Sequence, residues 1–215
     1  MHGKKTDLKN IALVKQLVFL RAHIDVHRII GLNVDAIRKA HVSNAFVGYL
    51  QGSAHDALAL CICKIYEASG RNDLNSIPGI IDSLSTKKPS KEQGVALREF
   101  GAKYSNAAVP VEVKSFLLVT CGLFSGLHSE SLSRLKRYRD TIGAHSDYKA
   151  KKTPLPSHAE FEQLYEFALD FYNVVADAIV GAGPASVPRM TGPGLVQVLK
   201  SLGVEDPQFD FPPDQ

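Results

Sequence analysis

The stretch Ala54-His-Asp-Ala-Leu-Ala-Leu-Cys-Ile-Cys-Lys-Ile-Tyr66 decides the fold class. On a helix its apolar residues cover nearly the whole circumference, which marks a helix buried at the centre of a bundle. Helical periodicity continues on both sides. Upstream, Thr6 is placed to cap a first helix in which Leu8, Ile11, Leu17, Val18 and Ile24 recur at three- and four-residue spacing, ending at Gly31. Asn33 is placed to cap the next stretch, from Val34 to Ser69, with a bend or break near Ser43 or Gly52. Downstream come a polar loop to Ser76, a short helix after Pro78, a basic loop and a helix over Glu92–Tyr104. Val109-Pro110-Val111 is the only β-like run and reads as the start of a helix covering Val113–Leu127. A further helix covers Glu130 to about His145. Pro154 and Pro156 then break the chain before Ser157 and Glu160, which have the spacing of a capping box. Phe161, Leu164, Ala168, Phe171, Val175 and Ile179 form one stripe that Gly181 closes. The expectation is an all-α bundle with short connections and no repeat.

Composition agrees and excludes several classes. The chain has 215 residues, 45% hydrophobic and 22% charged, which suits one domain and excludes wholesale disorder. Three cysteines, Cys61, Cys63 and Cys121, lie in apolar runs and form no CxxC pair, which suits a reducing cytosol and a cytoplasmic protein. Lys15 interrupts the first apolar run, so no signal peptide is expected, and Ser115–Ser129 is too short to span a bilayer. Neither Gly181-Ala-Gly183 nor Gly192-Pro-Gly194 follows a strand, so both read as linker rather than phosphate loop. Residues 1–181 are expected to form the bundle, and 182–215 a Gly/Pro linker, a short helix and a loose acidic tail.

Net charge is only +3, but the charges are unevenly placed. Arg134, Lys136, Arg137, Arg139, Lys149, Lys151 and Lys152 lie within one short segment with two acids, Asp140 and Asp147. That local field attracts phosphate, and equally describes a solvated helix face. Leu132, Leu135, Arg139 and Ile142 share one arc of a helix, so Arg139 occupies a leucine position. A guanidinium there needs a carboxylate, a phosphate or a subunit interface. His145 follows six residues later, beyond Gly143. In an unbroken helix the two side chains would point about 120° apart and about 9 Å along the axis. They meet if the helix ends near Gly143, or if a second copy brings two such motifs together across a two-fold axis.

Arg139-Asp140 with His145, set in Tyr138-Arg-Asp-Thr-Ile-Gly-Ala-His145-Ser-Asp, resembles the Rx4-6H motif of the HEPN superfamily. The wording looks most like the abortive-infection U branch. The resemblance extends over roughly residues 33–181 as helix order and is specific only at the motif. It implies a HEPN-like bundle of about five to seven helices. It also implies a metal-independent endoribonuclease of a bacterial defence or toxin module, working as a homodimer without cofactor. His145 would take the ribose 2′-OH proton, Arg139 would hold the scissile phosphate, and Asp140 would orient either one. The products would be a 2′,3′-cyclic phosphate and a 5′-OH. Arg134, Arg137 and Lys149 would hold RNA, with Tyr138 or Tyr148 stacking a base; helix packing is the other reading of Tyr138. Some HEPN toxins carry, two residues after the His, a Tyr modified by a nucleotidyltransferase antitoxin. Here that position is Asp147 and Tyr148 comes one later. A non-catalytic HEPN-like module binding nucleotide, RNA or protein stays open, as does an adaptor in which Arg139 is only an ion-pair residue.

Other constellations carry less. His23 and His27 have the spacing of two zinc ligands, but Ile24 replaces the Glu of HExxH and no third ligand is evident, so they read as surface or interface histidines. Glu112-Val-Lys114 matches the E-x-K of metal nucleases without the strands that motif needs, and reads as a helix start. Ser125 and Ser129 around His128 have no nucleophile-elbow context. His55-Asp56 reads as a hydrogen-bonded core pair.

Overall fold

Ala54–Tyr66 is buried on one side rather than all round: Leu60 is 38% exposed and Lys64 lies on the surface, because no helix among the described residues covers that face. A computed structural model describes residues 2–68, 74–86, 88–105, 112–144, 154–188 and 191–208, with backbone only for 2–4 and 141–144. The described residues form nine α-helices and no strand: α1 (His2–Leu32), α2 (Val34–Lys39), α3 (Asn44–Tyr66), α4 (Ile77–Ser83), α5 (Lys91–Tyr104), α6 (Val113–Leu127), α7 (Ser129–Ala144), α8 (His158–Val175) and α9 (Thr191–Ser201). The bundle is all-α, as expected; the higher count comes from the short helices α2, α4 and α9. In α3, Leu58, Ala59, Ile62 and Ile65 are fully enclosed, because α1, α4 and α7 pack around it.

Local chemistry sets the boundaries. Ser43 accepts from Phe46 N–H and starts α3, and so places the expected break before it. The Ser157–Glu160 capping box forms as expected, and Ser90 with Gln93 forms a second one at α5. The last turn of α8 widens into a π-helical turn, Ala176–Val180, closed by Gly181 at φ 76°, a conformation that favours glycine. Two expected caps are reassigned. The first helix begins before Thr6, whose buried hydroxyl instead lies 3.0 Å from Ser83 Oγ. Asn33 stands at the N-cap of α2 without capping it through its side chain, which turns to the chain's last described residues.

Two cores result. The larger joins α1, α3–α8 and the π turn, with Phe124 stacked on Phe167 at 3.8 Å between ring centroids. The smaller, at the far end of α1, packs Ile29, Ile30, Ile37 and Val47 against Leu199 and Val204. Residues 182–188 drape over the larger core, with Ala185 N–H donating to Asn173 Oδ1 at 3.0 Å. The tail expected to be loose is therefore anchored as far as Gln208, because Val204 has a hydrophobic seat to fill.

Candidate functional site

The site is positioned by α7. Leu135 is fully buried against the bundle and fixes which side of the helix faces outward. Ser131 and Arg134 tie its base to the start of α8 through the Glu160 carboxylate, which Arg134 reaches at 2.6 Å. Hydrogen bonds from Ser131 and Ser157, aided by Arg134, outweigh partial burial and pull the Glu160 carboxyl down to about 2. Arg134, expected to hold RNA, thus has its charge matched by the capping carboxylate. Halfway up α7, Tyr138 packs against the core and its OH donates to Asp56 Oδ1 at 2.7 Å. Burial and that carboxylate push the phenol pKa up. Tyr138 takes the helix-packing alternative, not the base-stacking one: its hydroxyl is engaged and its ring is against protein.

Arg139 sits near the outer end of α7, beside the end of α3. Its Nε and Nη2 donate to Asp140 Oδ1 at 3.0 and 2.8 Å, and Nη1 donates to Glu67 Oε1 at 3.2 Å. Helical period placed it on the leucine arc, but α3 stops at Tyr66, so the guanidinium emerges at the margin of the core rather than within it. Its side chain is 23% exposed, against 55% for Asp140 and 44% for Glu67. The carboxylates that hold it are thus open to water. Asp140's hydrogen bond is the main reason the Arg139 pKa is raised, against a smaller opposing effect of burial. Cys63 lies beneath; burial pushes its thiol up to about 11 although Arg139 pulls the other way. Glu67 is a site residue that sequence reading missed, and Asp56, expected to pair with His55, serves Tyr138 instead. Neither contact is part of a local motif, since the partners lie 72 and 82 residues away.

The remaining expected site residues divide. Asp140 lies in place against Arg139. Arg137 is exposed, with Nε donating to the Ser133 carbonyl at 3.4 Å. His145, Tyr148 and Lys149 fall outside the described residues; the α7 backbone continues one residue past Gly143, to Ala144.

The histidines elsewhere rearrange the other expectations. His23 Nδ1 donates to the Phe19 carbonyl at 2.8 Å, while His27 turns inward to His55, 4.5 Å between ring centroids, and to His158 at 6.3 Å. His55 and Asp56 thus go to different neighbours, because adjacent helical residues point about 100° apart, and the expected pair does not form. No group of three metal-ligating side chains occurs among the described residues. Glu112 precedes α6 in extended conformation, and Lys114 Nζ donates to the Asp82 carbonyl at 3.3 Å, so E-x-K marks a helix start. Among the described residues no helix is long and apolar enough to cross a membrane.

Comparison with curated proteins gives no match. Comparison with solved structures gives none either. The AbiU2 family model of the HEPN superfamily matches residues 7–189, from the first helix through the draped segment and including all of α7. An all-helical bundle bearing Arg139-Asp140 near the end of α7, matched by that model over most of its length, belongs to the HEPN AbiU2 family.

Proposed function

We propose that this protein is a metal-independent endoribonuclease of a bacterial abortive-infection module. The observation that carries the reading is the state of Arg139: a guanidinium held at the protein margin by two water-exposed carboxylates, in a sequence that resembles Rx4-6H and lies within the span the family model matches. Exposed ion pairs are worth roughly 0–1 kcal/mol, so a phosphate dianion or diester can replace Glu67 at little cost. Asp140, bound to Nε and Nη2, would keep the guanidinium plane oriented while Nη1 turns to the scissile phosphate. His145 would remove the 2′-OH proton, the 2′-oxygen would form a bond to phosphorus, and the P–O5′ bond would break. The leaving oxygen takes a proton, giving a 2′,3′-cyclic phosphate and a 5′-OH. The working unit in this reading is a homodimer. An uncharged outer face on α6, with Leu118, Val119, Leu123 and Leu127 exposed next to α7, supports a second copy.

The test is cleavage of RNA in EDTA by wild type, Arg139→Ala and His145→Ala, with end-group analysis of the products. Cleavage to cyclic phosphate that both substitutions abolish is the expected result. Cleavage that survives either substitution, or absence of cleavage by wild type, overturns the reading. One observation favours a second reading: all three groups of Arg139 that donate are occupied by carboxylates. A purely structural ion pair would look the same, and there Arg139→Ala would lower stability without touching any RNA activity.

A further inference from the structure

Between α1 and α3 a surface groove of about 560 Å³ opens on the flank that α7 borders. Its floor is apolar, with Leu60 from α3, and Phe19 of α1 projects into it 52% exposed. The Phe19 ring is braced from one side by His23, 4.1 Å between centroids, and His23 is itself fixed by its bond to the Phe19 carbonyl. Lys15 on one helix and Lys64 on the other line the same groove, and neither ammonium has a carboxylate partner among the described residues. The one acid in the lining, Asp56, already accepts from Tyr138.

We infer that this groove is a subsite for single-stranded RNA, with a base stacked on Phe19 and backbone phosphates on Lys15 and Lys64. A braced, half-exposed aromatic ring between two ammonium groups is the arrangement that holds a nucleotide by its π-face and its charge together. Charge also argues against a second copy of the chain in the groove. An isologous pairing would set four ammonium groups against one another, with only two carboxylates, both engaged with tyrosine, to offset them. The groove leads to the site already described. Lys64 precedes Glu67 by one helical turn, and Glu67 accepts from Arg139. The inference therefore rests on the proposed function for the identity of the ligand, and it specifies which way the strand leaves the scissile phosphate: along the outer face of α3.

The experiment measures binding of a short unstructured oligoribonucleotide, by fluorescence anisotropy over a range of salt, to full-length Arg139→Ala protein so that the strand stays whole. Adding Lys15→Glu and Lys64→Glu is expected to weaken binding and to reduce the slope of log K on log salt by about 1.4, about 0.7 for each phosphate that is no longer neutralised. Adding Phe19→Ala should weaken binding about five-fold or more, whereas Phe19→Tyr should restore it. Lys39→Glu with Lys200→Glu, charges at the other end of the molecule, serves as the control for net charge. All are surface changes, and an unaltered thermal midpoint shows that each variant folds. Equal binding by groove and control variants overturns the subsite, as does absence of RNA binding, or a change in sedimentation mass on altering Phe19. The two proposals fail separately. Wild type that binds RNA through the groove but cleaves nothing defeats the nuclease alone. Cleavage with groove-independent binding defeats the groove alone.

Discussion

Asn33 and Gln208 are joined in both directions: Asn33 Nδ2 donates to the Gln208 carbonyl at 2.9 Å, and its Oδ1 accepts from the Gln208 N–H at 2.6 Å. Asn33 Nδ2 also donates to the Ile29 carbonyl at 2.8 Å, so one buried amide links the end of α1 to the last described residues. The family match stops at residue 189, short of α9, so this latch secures an element outside the matched region.

Asn33→Ala should therefore loosen the C-terminal segment without dismantling the bundle. Leaving buried partners unbonded costs about 1–3 kcal/mol, a drop of several degrees in thermal midpoint for a chain this size. Limited proteolysis should cut between the bundle and α9 faster in the variant. An unchanged digestion pattern and midpoint would show that the hydrophobic seat of Leu199 and Val204 holds the tail alone.

A second prediction concerns Arg21, whose side chain is 2% exposed. It donates to Asp25 on its own helix at 2.7 Å and forks onto Glu162 of α8 at 2.6 and 2.7 Å, beneath the ring of Tyr165. Burial works against its charge, but the bonds and charges of Glu162 and Asp25 outweigh that and raise its pKa. Arg21→Met would leave the enclosed Asp25 carboxylate without its guanidinium, at a cost of about 3–5 kcal/mol. Urea unfolding should report that loss. Adding Asp25→Leu and Glu162→Gln should recover much of it, because the charge left behind, rather than the missing pair, carries most of the cost. Failure of the triple variant to recover would assign the loss to packing around Tyr165.

The third prediction is a pH dependence at the His27 cluster. Burial first, then the neighbouring His55 and His158, lowers His27 to about 4, below its unfolded value near 6.5. His158 is lowered by burial and by Arg21 and Arg28, against the pull of Glu162; His55 is lowered by burial, against Asp56. The unfolded chain binds the proton first, so the cluster's contribution to stability is complete above pH 6.5 and is lost as pH falls toward 4. Discounted for its partial exposure, the His27 share is on the order of 2 kcal/mol, or about 4–8 °C in thermal midpoint. His27→Leu should flatten the stability profile between pH 6.5 and 4. An equally steep profile in the variant would move the effect to other groups.

The outcome for particular residues explains what a sequence reveals here. The enclosed face of α3, the capping box at Ser157 and the glycine stop at 181 were legible, because each depends on neighbours within a turn or two of helix; the open face at Leu60 was not, because it depends on which helices pack alongside. Thr6 and Asn33 carry the same residue types as true caps, yet their polar groups are claimed by Ser83 and Gln208, partners that no local pattern announces. At the site, Arg139 and Asp140 were legible as a motif. Glu67 was not, because it reaches Arg139 only where α3 happens to end. The same boundary explains why a position with leucine periodicity opens to water.

α1 runs through both cores, about 46 Å from end to end at 1.5 Å per residue. Leu13, Leu17, Leu20 and Ile24 serve the large core, and Ile29 and Ile30 the small one. The helix is thus a shared spine that joins the seat of the tail to the stretch bearing Phe19 in one unbroken helix. Whatever grips the tail therefore grips, from its opposite end, the same helix that carries Phe19.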